Sequence, residues 1–385
     1  MKQVAILSAA YFYVMSNISL IITIMPFMAA DMDIDRLQQT LLLAIFPTVS
    51  LPANLLLGPL ADLIGRRKFL IAGSAISAVI FALSGFISGA WTAILLRGLT
   101  AIFTSMIACS IFSSIRDYFS SEDAIKVTGY VSASASVAQL VGIPLIVLIA
   151  ETVGWRMSFA ALSIYGCILV LMITWLPAPK HAASQIGPTT FRSHLLGVFD
   201  VARGPSTRFT LLGYAMYSSG TFVFLALYPT WLLTRIEALG TGHDVSLILV
   251  SGGIGSLAGA VLVGMLGARY GSARLTRALL SVSTAGSIAF VPFAGHSIQL
   301  QIAAYSLACL FRAILVPIVI NGTMAAIPPT QRGAANGILA AIFQIGTALG
   351  GVVSAQLYAA DGTFVFNVAV ALGCFLASAV SFGQR

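Results

Sequence analysis

Twelve apolar segments, each long enough to cross a bilayer, follow one another along this chain with short polar links between them. They fall at roughly 4–30, 38–61, 69–88, 90–114, 126–150 and 156–177, and then at 209–234, 244–267, 276–294, 298–321, 333–359 and 363–383. A helix needs about 20 apolar residues to span the hydrocarbon core. In lipid every backbone polar group must be satisfied internally, which leaves helices or a closed barrel, and uninterrupted apolar runs of this length select helices. Composition closes off the soluble alternative. Only 8% of the 385 residues are charged while 58% are hydrophobic, against about 25% charged in a soluble domain. Proline and glycine inside the runs are tolerated in membrane helices. The first run, behind Lys2, is too long for a signal-peptide core and reads as a spanning helix.

The longest polar stretch, 178–208, divides the chain into six-segment halves, 1–177 and 209–385, and reads as a cytoplasmic linker. Of the 20 Lys and Arg, fifteen fall on the side that holds Lys2, the Arg66–Lys68 run, Arg116 and the linker. Only Arg36, Arg156 and Arg235 fall on the other side, and Arg97 and Arg312 lie within spans. The positive-inside rule therefore places both termini in the cytoplasm of an inner-membrane, multi-pass protein. The net charge of +8 is scattered over these loops, so it marks topology and excludes a nucleic-acid face. Four widely separated cysteines inside apolar runs read as packing residues rather than a disulfide or metal framework.

An internal repeat links the halves. Pro26 matches Pro229 at an offset of 203, Gly58 and Gly65 match Gly264 and Gly271 at 206, and Gly129, Gly142 and Gly154 match Gly337, Gly350 and Gly362 at 208. With an even number of helices in each half, the repeat is parallel, about an axis along the membrane normal.

The sharpest local motif is Gly58-Pro-Leu-Ala-Asp62-Leu-Ile-Gly65-Arg66-Arg67-Lys68, between the second and third segments. Gly58 allows close helix approach and Gly65 a tight turn; Asp62 is placed to pair with an arginine or a helix N-terminus. This loop resembles the signature loop of the major facilitator superfamily, with Leu63 standing where the family usually carries a basic residue. A decayed copy, Gly264 to Gly271, has Ala268 in place of the acid. The resemblance implies the all-α major facilitator fold of two pseudosymmetric six-helix bundles. It also implies a conformational latch formed by Gly58, Asp62, Gly65, Arg66 and Arg67, with Arg116 and Asp117 as partners. Val141-Gly142-Ile-Pro144 and Gly154-Trp155-Arg156 look like the fifth-helix element and outer loop of drug:proton and sugar-efflux permeases, with Gly142 and Pro144 as packing or kink residues. Arg97 matches the fourth-helix arginine that those relatives associate with proton transfer.

An ionisable residue at mid-membrane is a functional candidate by default, because insertion scales charge about 2.5–3.5 kcal/mol for an arginine there. Arg312 lies near the middle of the tenth segment, with Tyr305 seven residues earlier on the same face. Candidate cavity residues beside them are Tyr13 and Asn17, Gln139, Tyr214 and Tyr217, Asn336 and Gln344. All twelve acids lie in loops or at helix ends, and Asp31 is the best carboxylate left for coupling. Arginine without a buried acid biases the cavity toward anionic or zwitterionic substrates.

No phosphate-cradling loop for an ATP-driven pump is present, and no His, Cys or acid constellation for an enzyme lies in the spans. The leading reading is a monomeric secondary transporter that exports a small organic molecule by alternating access. Its driving force would be the proton gradient, with no bound cofactor. The alternatives are an importer or facilitator of an organic anion and a membrane sensor that does not transport.

Overall fold

The computed structural model describes residues 2–176, 204, 207–228, 231–232, 242–270, 274–293, 297–325, 327 and 332–384. The 178–208 linker, Pro229, Arg235 and Gly271 lie outside the described residues, apart from Gly204, Thr207 and Arg208. The helices are α1 Lys2–Met32, α2 Arg36–Ile64, α3 Arg66–Ser84, α4 Ala90–Tyr118, α5 Ser121–Val137, α6 Ile143–Thr152 and α7 Trp155–Thr174. After the linker come α8 Arg208–Leu225, α9 Gly242–Tyr270, α10 Arg274–Ala289, α11 Ile298–Ala325, α12 Arg332–Asp361 and α13 Val365–Gly383. A π-helical turn, Ala138–Gly142, joins α5 to α6, so the helices among the described residues form twelve rods.

Local chemistry explains the ends and the irregularity. Asp35 starts α2 with a capping box, accepting from the Gln38 amide at 2.7 Å while Gln38 accepts from the Asp35 amide at 3.1 Å. Gly65 breaks α2 from α3 at φ +108°, a conformation that other residues rarely adopt. The π turn precedes Pro144, which has no N–H to give and whose ring crowds the carbonyl four residues back; the wider turn absorbs that misfit.

Nine helices among the described residues are long and apolar enough to cross a membrane; within α9 a shorter apolar run, Val250–Met265, falls below that length. The apolar side chains turned outward, such as Leu95, Ile164, Leu171, Met265 and Val380, form a surface that only lipid can cover. Exposed aromatics sit at the rod ends: Phe86, Trp91, Phe290 and Phe293 at one end of the bundle and Trp175 at the other, as an interfacial belt requires.

Within the first half α3 packs on α4 and α7, α2 on α4, and α1 on α5 and α7; within the second, α10 packs on α11 and α13, α9 on α11, and α8 on α12 and α13. Across the halves α2 packs on α12 and α5 on α9. Those two seams are repeats of each other. A Cβ on Gly337 of α12 would overlap the Asn54 carbonyl oxygen and stand 3.5 Å from Gly58 Cα on α2; a Cβ on Gly129 of α5 would stand 2.8 Å from the Gly264 amide nitrogen on α9. Gly58 pairs with Gly264, and Gly129 with Gly337, in the sequence repeat. Inside each half the repeat recurs: Gly142 closes on Ser16 of α1, and Gly350 on Ser219 of α8. Lipid offers no hydrophobic gain for helix association, so close backbone approach at small residues carries the packing.

Candidate functional site

A cavity of about 100 Å3 lies between the halves, walled by α1, α2 and α4 on one side and α8, α11 and α12 on the other. Tyr11 and Tyr214, 203 residues apart like the repeated prolines, both line it. Phe46, Ser50, Asn54, Thr104, Ser105, Phe112, Asn336, Phe343 and Gln344 complete much of the wall. The wall is mostly apolar, with single hydroxyls and amides; the Ser50 hydroxyl is buried there without a partner. Toward the end of the bundle that carries Gly65, the cavity is floored by direct contacts between halves. The Asn336 amide donates to the carbonyls of Ala108 at 3.0 Å and Cys109 at 2.6 Å. At the same end the Arg116 guanidinium donates to the Asn321 carbonyl at 3.4 Å. These three hydrogen bonds tie the first half to the second at this end of the bundle.

The motif residues gather below the floor. Arg66 reaches Asp62 with both Nε, at 3.1 Å, and Nη2, at 2.7 Å. Its Nη1 donates to Asp117 and, at 3.2 Å, to the Ser113 carbonyl. The Asp62 side chain is 1% exposed and that of Arg66 10%. One guanidinium thus binds two carboxylates from α2 and α4. Arg67 donates to the Thr174 carbonyl at 2.6 Å, fastening the loop to α7. Arg332, from the second half, stands within electrostatic reach of the same group: burial and the Arg66 charge lower its guanidinium from the ordinary value, against Asp117 and Asp62. Sequence reasoning made Arg116 a partner of Asp62. Arg66 takes that place instead, because the first turn of α3 brings it back one helical turn from Asp62, while Arg116 turns across to the other half.

The two arginines within spans have different surroundings. Arg97 is 6% exposed, with Nη1 on the Asn17 side-chain oxygen at 2.7 Å and on its carbonyl at 3.0 Å, and Nη2 on the Ile18 carbonyl at 3.2 Å. It lies 4.2 Å over the Phe46 ring. Asn17 also donates to Thr104, so Asn17 is a strut behind the cavity wall rather than part of its lining. Arg312, at the centre of α11, is only partly buried and has no hydrogen-bond or ion-pair partner among the described residues. Its charge acts on Tyr11 and Tyr214 on the cavity wall, and on Tyr217, Tyr305 and Cys309 within the second half. It lines a smaller void of about 20 Å3 with Thr221, Thr284 and Phe375.

Several expected cavity residues stand elsewhere. Tyr13 is fully buried inside the first half, edge-on to Phe81 and stacked on Tyr165. Tyr217 bonds Thr284 at 3.0 Å inside the second half. Tyr305 stacks on Tyr228 at 4.9 Å and fills the groove over Gly252. Gln139, on the π turn, is exposed and off the cavity. Asp31 is at the far end of the bundle, 47% exposed, paired with Arg156 at 2.6 Å and accepting from the Trp155 indole at 3.3 Å. The Arg156 bond holds its carboxyl below the usual value. Tyr11, which sequence reasoning passed over, carries a legible signal in its offset to Tyr214.

The family model described as Major Facilitator Superfamily matches residues 7–236 and 210–385. The chain belongs to the major facilitator superfamily. It is 22% identical over 303 residues to the MFS-type transporter YceJ of Bacillus subtilis strain 168, covering 78% of this chain and 75% of that one. A solved structure of the human organic anion transporter MFSD10 superposes with a TM-score of 0.76 at 18% identity, covering 99% of both chains. The proton:xylose symporter XylE, bound to 6-bromo-6-deoxy-D-glucose, superposes at 0.73 and 15% identity, over 98% of this chain and 94% of that one. Major facilitators are transporters, not enzymes, so this is a multi-pass membrane protein of a secondary-transport family, with the major facilitator fold.

Proposed function

We propose that this major facilitator exports a small organic anion or zwitterion by alternating access, as a proton antiporter, with residues 1–177 and 209–385 as the two moving halves. The observation that carries the substrate class is Arg312, a guanidinium at mid-span with no partner among the described residues, whose charge reaches tyrosines on both cavity walls. Desolvating a cation there is costly, and an anionic substrate group offsets that cost. Among the described residues no carboxylate lines the cavity to attract a cation. The organic-anion transport named for MFSD10 is consistent with this reading. The end that carries Asp62, Arg66 and Asp117 is assigned to the cytoplasm of the inner membrane by the charge bias, with both termini there. The floor contacts then describe a cytoplasmically closed state of a monomer.

The second reading, uptake or facilitated passage of an organic anion, is favoured by that same absence of a cavity carboxylate to carry a proton. Of the two sequence candidates for coupling, Asp31 is held in an exposed ion pair and Arg97 in bonds to neutral oxygens. Thermal-shift screening of detergent-purified protein against anionic, zwitterionic and cationic metabolites tests the class. Stabilisation by anions that is lost in Arg312→Ala supports it; stabilisation by lipophilic cations in both proteins overturns it. A pH gradient across proteoliposomes, driving or failing to drive flux of the stabilising compound, separates the two readings.

A further inference from the structure

Arg97 presents a charge problem that the transport reading leaves unused. It is a full cation, 94% buried by its 6% exposure, and among the described residues no carboxylate acts on it. Its three hydrogen bonds all go to neutral oxygens of Asn17 and Ile18. Its Nε–H is buried with no acceptor among the described residues. Beside it is a small void of about 10 Å3, sharing no lining residue with the central cavity and lined by Met28, Phe81, Ser84, Arg97, Thr100 and Phe159. The hydroxyls at its edge already donate elsewhere: Ser84 to the Ile80 carbonyl and Thr100 to the Arg97 carbonyl, each at 2.8 Å. Unspent donor capacity and positive charge therefore both come from the guanidinium. A void of this size admits a single occupant of about the size of a water molecule. Met28 is an adaptable wall that can yield the few tenths of an ångström a halide adds.

We propose that this void is a buried site for a compact inorganic anion of the chloride class, bound to Arg97 as the counter-charge that no carboxylate among the described residues supplies. The site is separate from Arg312: it belongs wholly to the first half, with walls from α1, α3, α4 and α7. Asn17 is the position at which a carboxylate would complete an internal ion pair. The amide there leaves the positive charge to a diffusible ion.

The test is thermal unfolding of the purified full chain in chloride against gluconate at constant ionic strength. Mass action predicts a rise in Tm of about 1–3 °C when chloride reaches roughly ten times its Kd, growing further with the logarithm of its concentration. Asn17→Asp, which places a fixed carboxylate on the guanidinium, removes the chloride response while keeping a high Tm in gluconate. Arg97→Gln also removes the response, and Arg312→Gln keeps it. Crystals grown in bromide show an anomalous peak in the void. Equal Tm in chloride and gluconate for the unaltered chain means that the occupant is water and overturns the proposal. A chloride response that survives Asn17→Asp, or one abolished by Arg312→Gln instead, overturns it equally.

Discussion

Replacing Gly337 with alanine adds one methyl group at the tightest point of the α2–α12 seam. The new Cβ would overlap the Asn54 carbonyl oxygen, with Gly58 Cα only 3.5 Å away. Both obstacles are backbone, so no rotamer change relieves the overlap and α12 must withdraw from α2. Overpacking of this kind costs about 1–3 kcal/mol, and it falls only on the state in which the seam is closed. The alanine also gains about 1 kcal/mol of helix propensity, but in both states, so that term cancels. If the closed state predominates at the start, the open population rises about 5- to 150-fold. The readout is alkylation of Cys109, which is fully buried, its thiol turned to Asn54 and its carbonyl bonded by Asn336. Gly337→Ala should accelerate alkylation by that factor. Gly129→Ala, whose Cβ meets the Gly264 nitrogen at 2.8 Å, should have a smaller effect. Gly351→Ala, with nothing within 4 Å of its Cβ, should have none. An unchanged rate for Gly337→Ala, or the same acceleration for Gly351→Ala, refutes the claim that the glycine seam holds the halves together.

Three further outcomes are expected. Arg66→Gln strands two carboxylates, one of them 1% exposed, and should destabilise the folded first half by about 3–5 kcal/mol; Asp62→Asn leaves Arg66 bound to Asp117 and should cost less, as denaturant titration will order them. Arg312→Ala should abolish transport while folded protein accumulates in the membrane at normal levels, checked by flux and by detergent gel filtration. The Asp31 carboxyl is held below its usual value, so the Asp31–Arg156 pair contributes stability above about pH 3.9 that is lost as pH falls through the lower folded value. The Tm gap between the unaltered chain and Asp31→Asn should accordingly close in acid.

The rods were legible because lipid imposes a length and a composition that the sequence must meet. The glycine repeat was legible for a related reason: where helices associate without a hydrophobic gain, small residues must recur wherever backbones touch, and 58/264 and 129/337 recur at the two seams. The cavity was harder to read. Tyr13 and Asn17 share a helical face by spacing, yet that face of α1 packs against α3, α4 and α7, and the wall is formed by Tyr11, two residues before Tyr13 and about 200° around the helix. Membrane helices are apolar on every side, so periodicity does not say which face meets a cavity, a neighbour or lipid. Two acids and Arg66 near helix ends could be seen in the sequence. Their convergence on one guanidinium depends on the turn at Gly65 and the register of α4, which spacing alone does not give.

The most direct test of the transport account is a reversible lock across the α2–α12 seam: Gly58→Cys with Gly337→Cys in a background whose four native cysteines are replaced by serine. The protein is reconstituted into proteoliposomes, and flux of the stabilising anion is measured before and after reduction. Gly337 Cβ and Gly58 Cα at 3.5 Å put the pair within disulfide range. Alternating access predicts that flux stops when the bond forms and returns when it is reduced. Undiminished flux through the oxidised protein would contradict it.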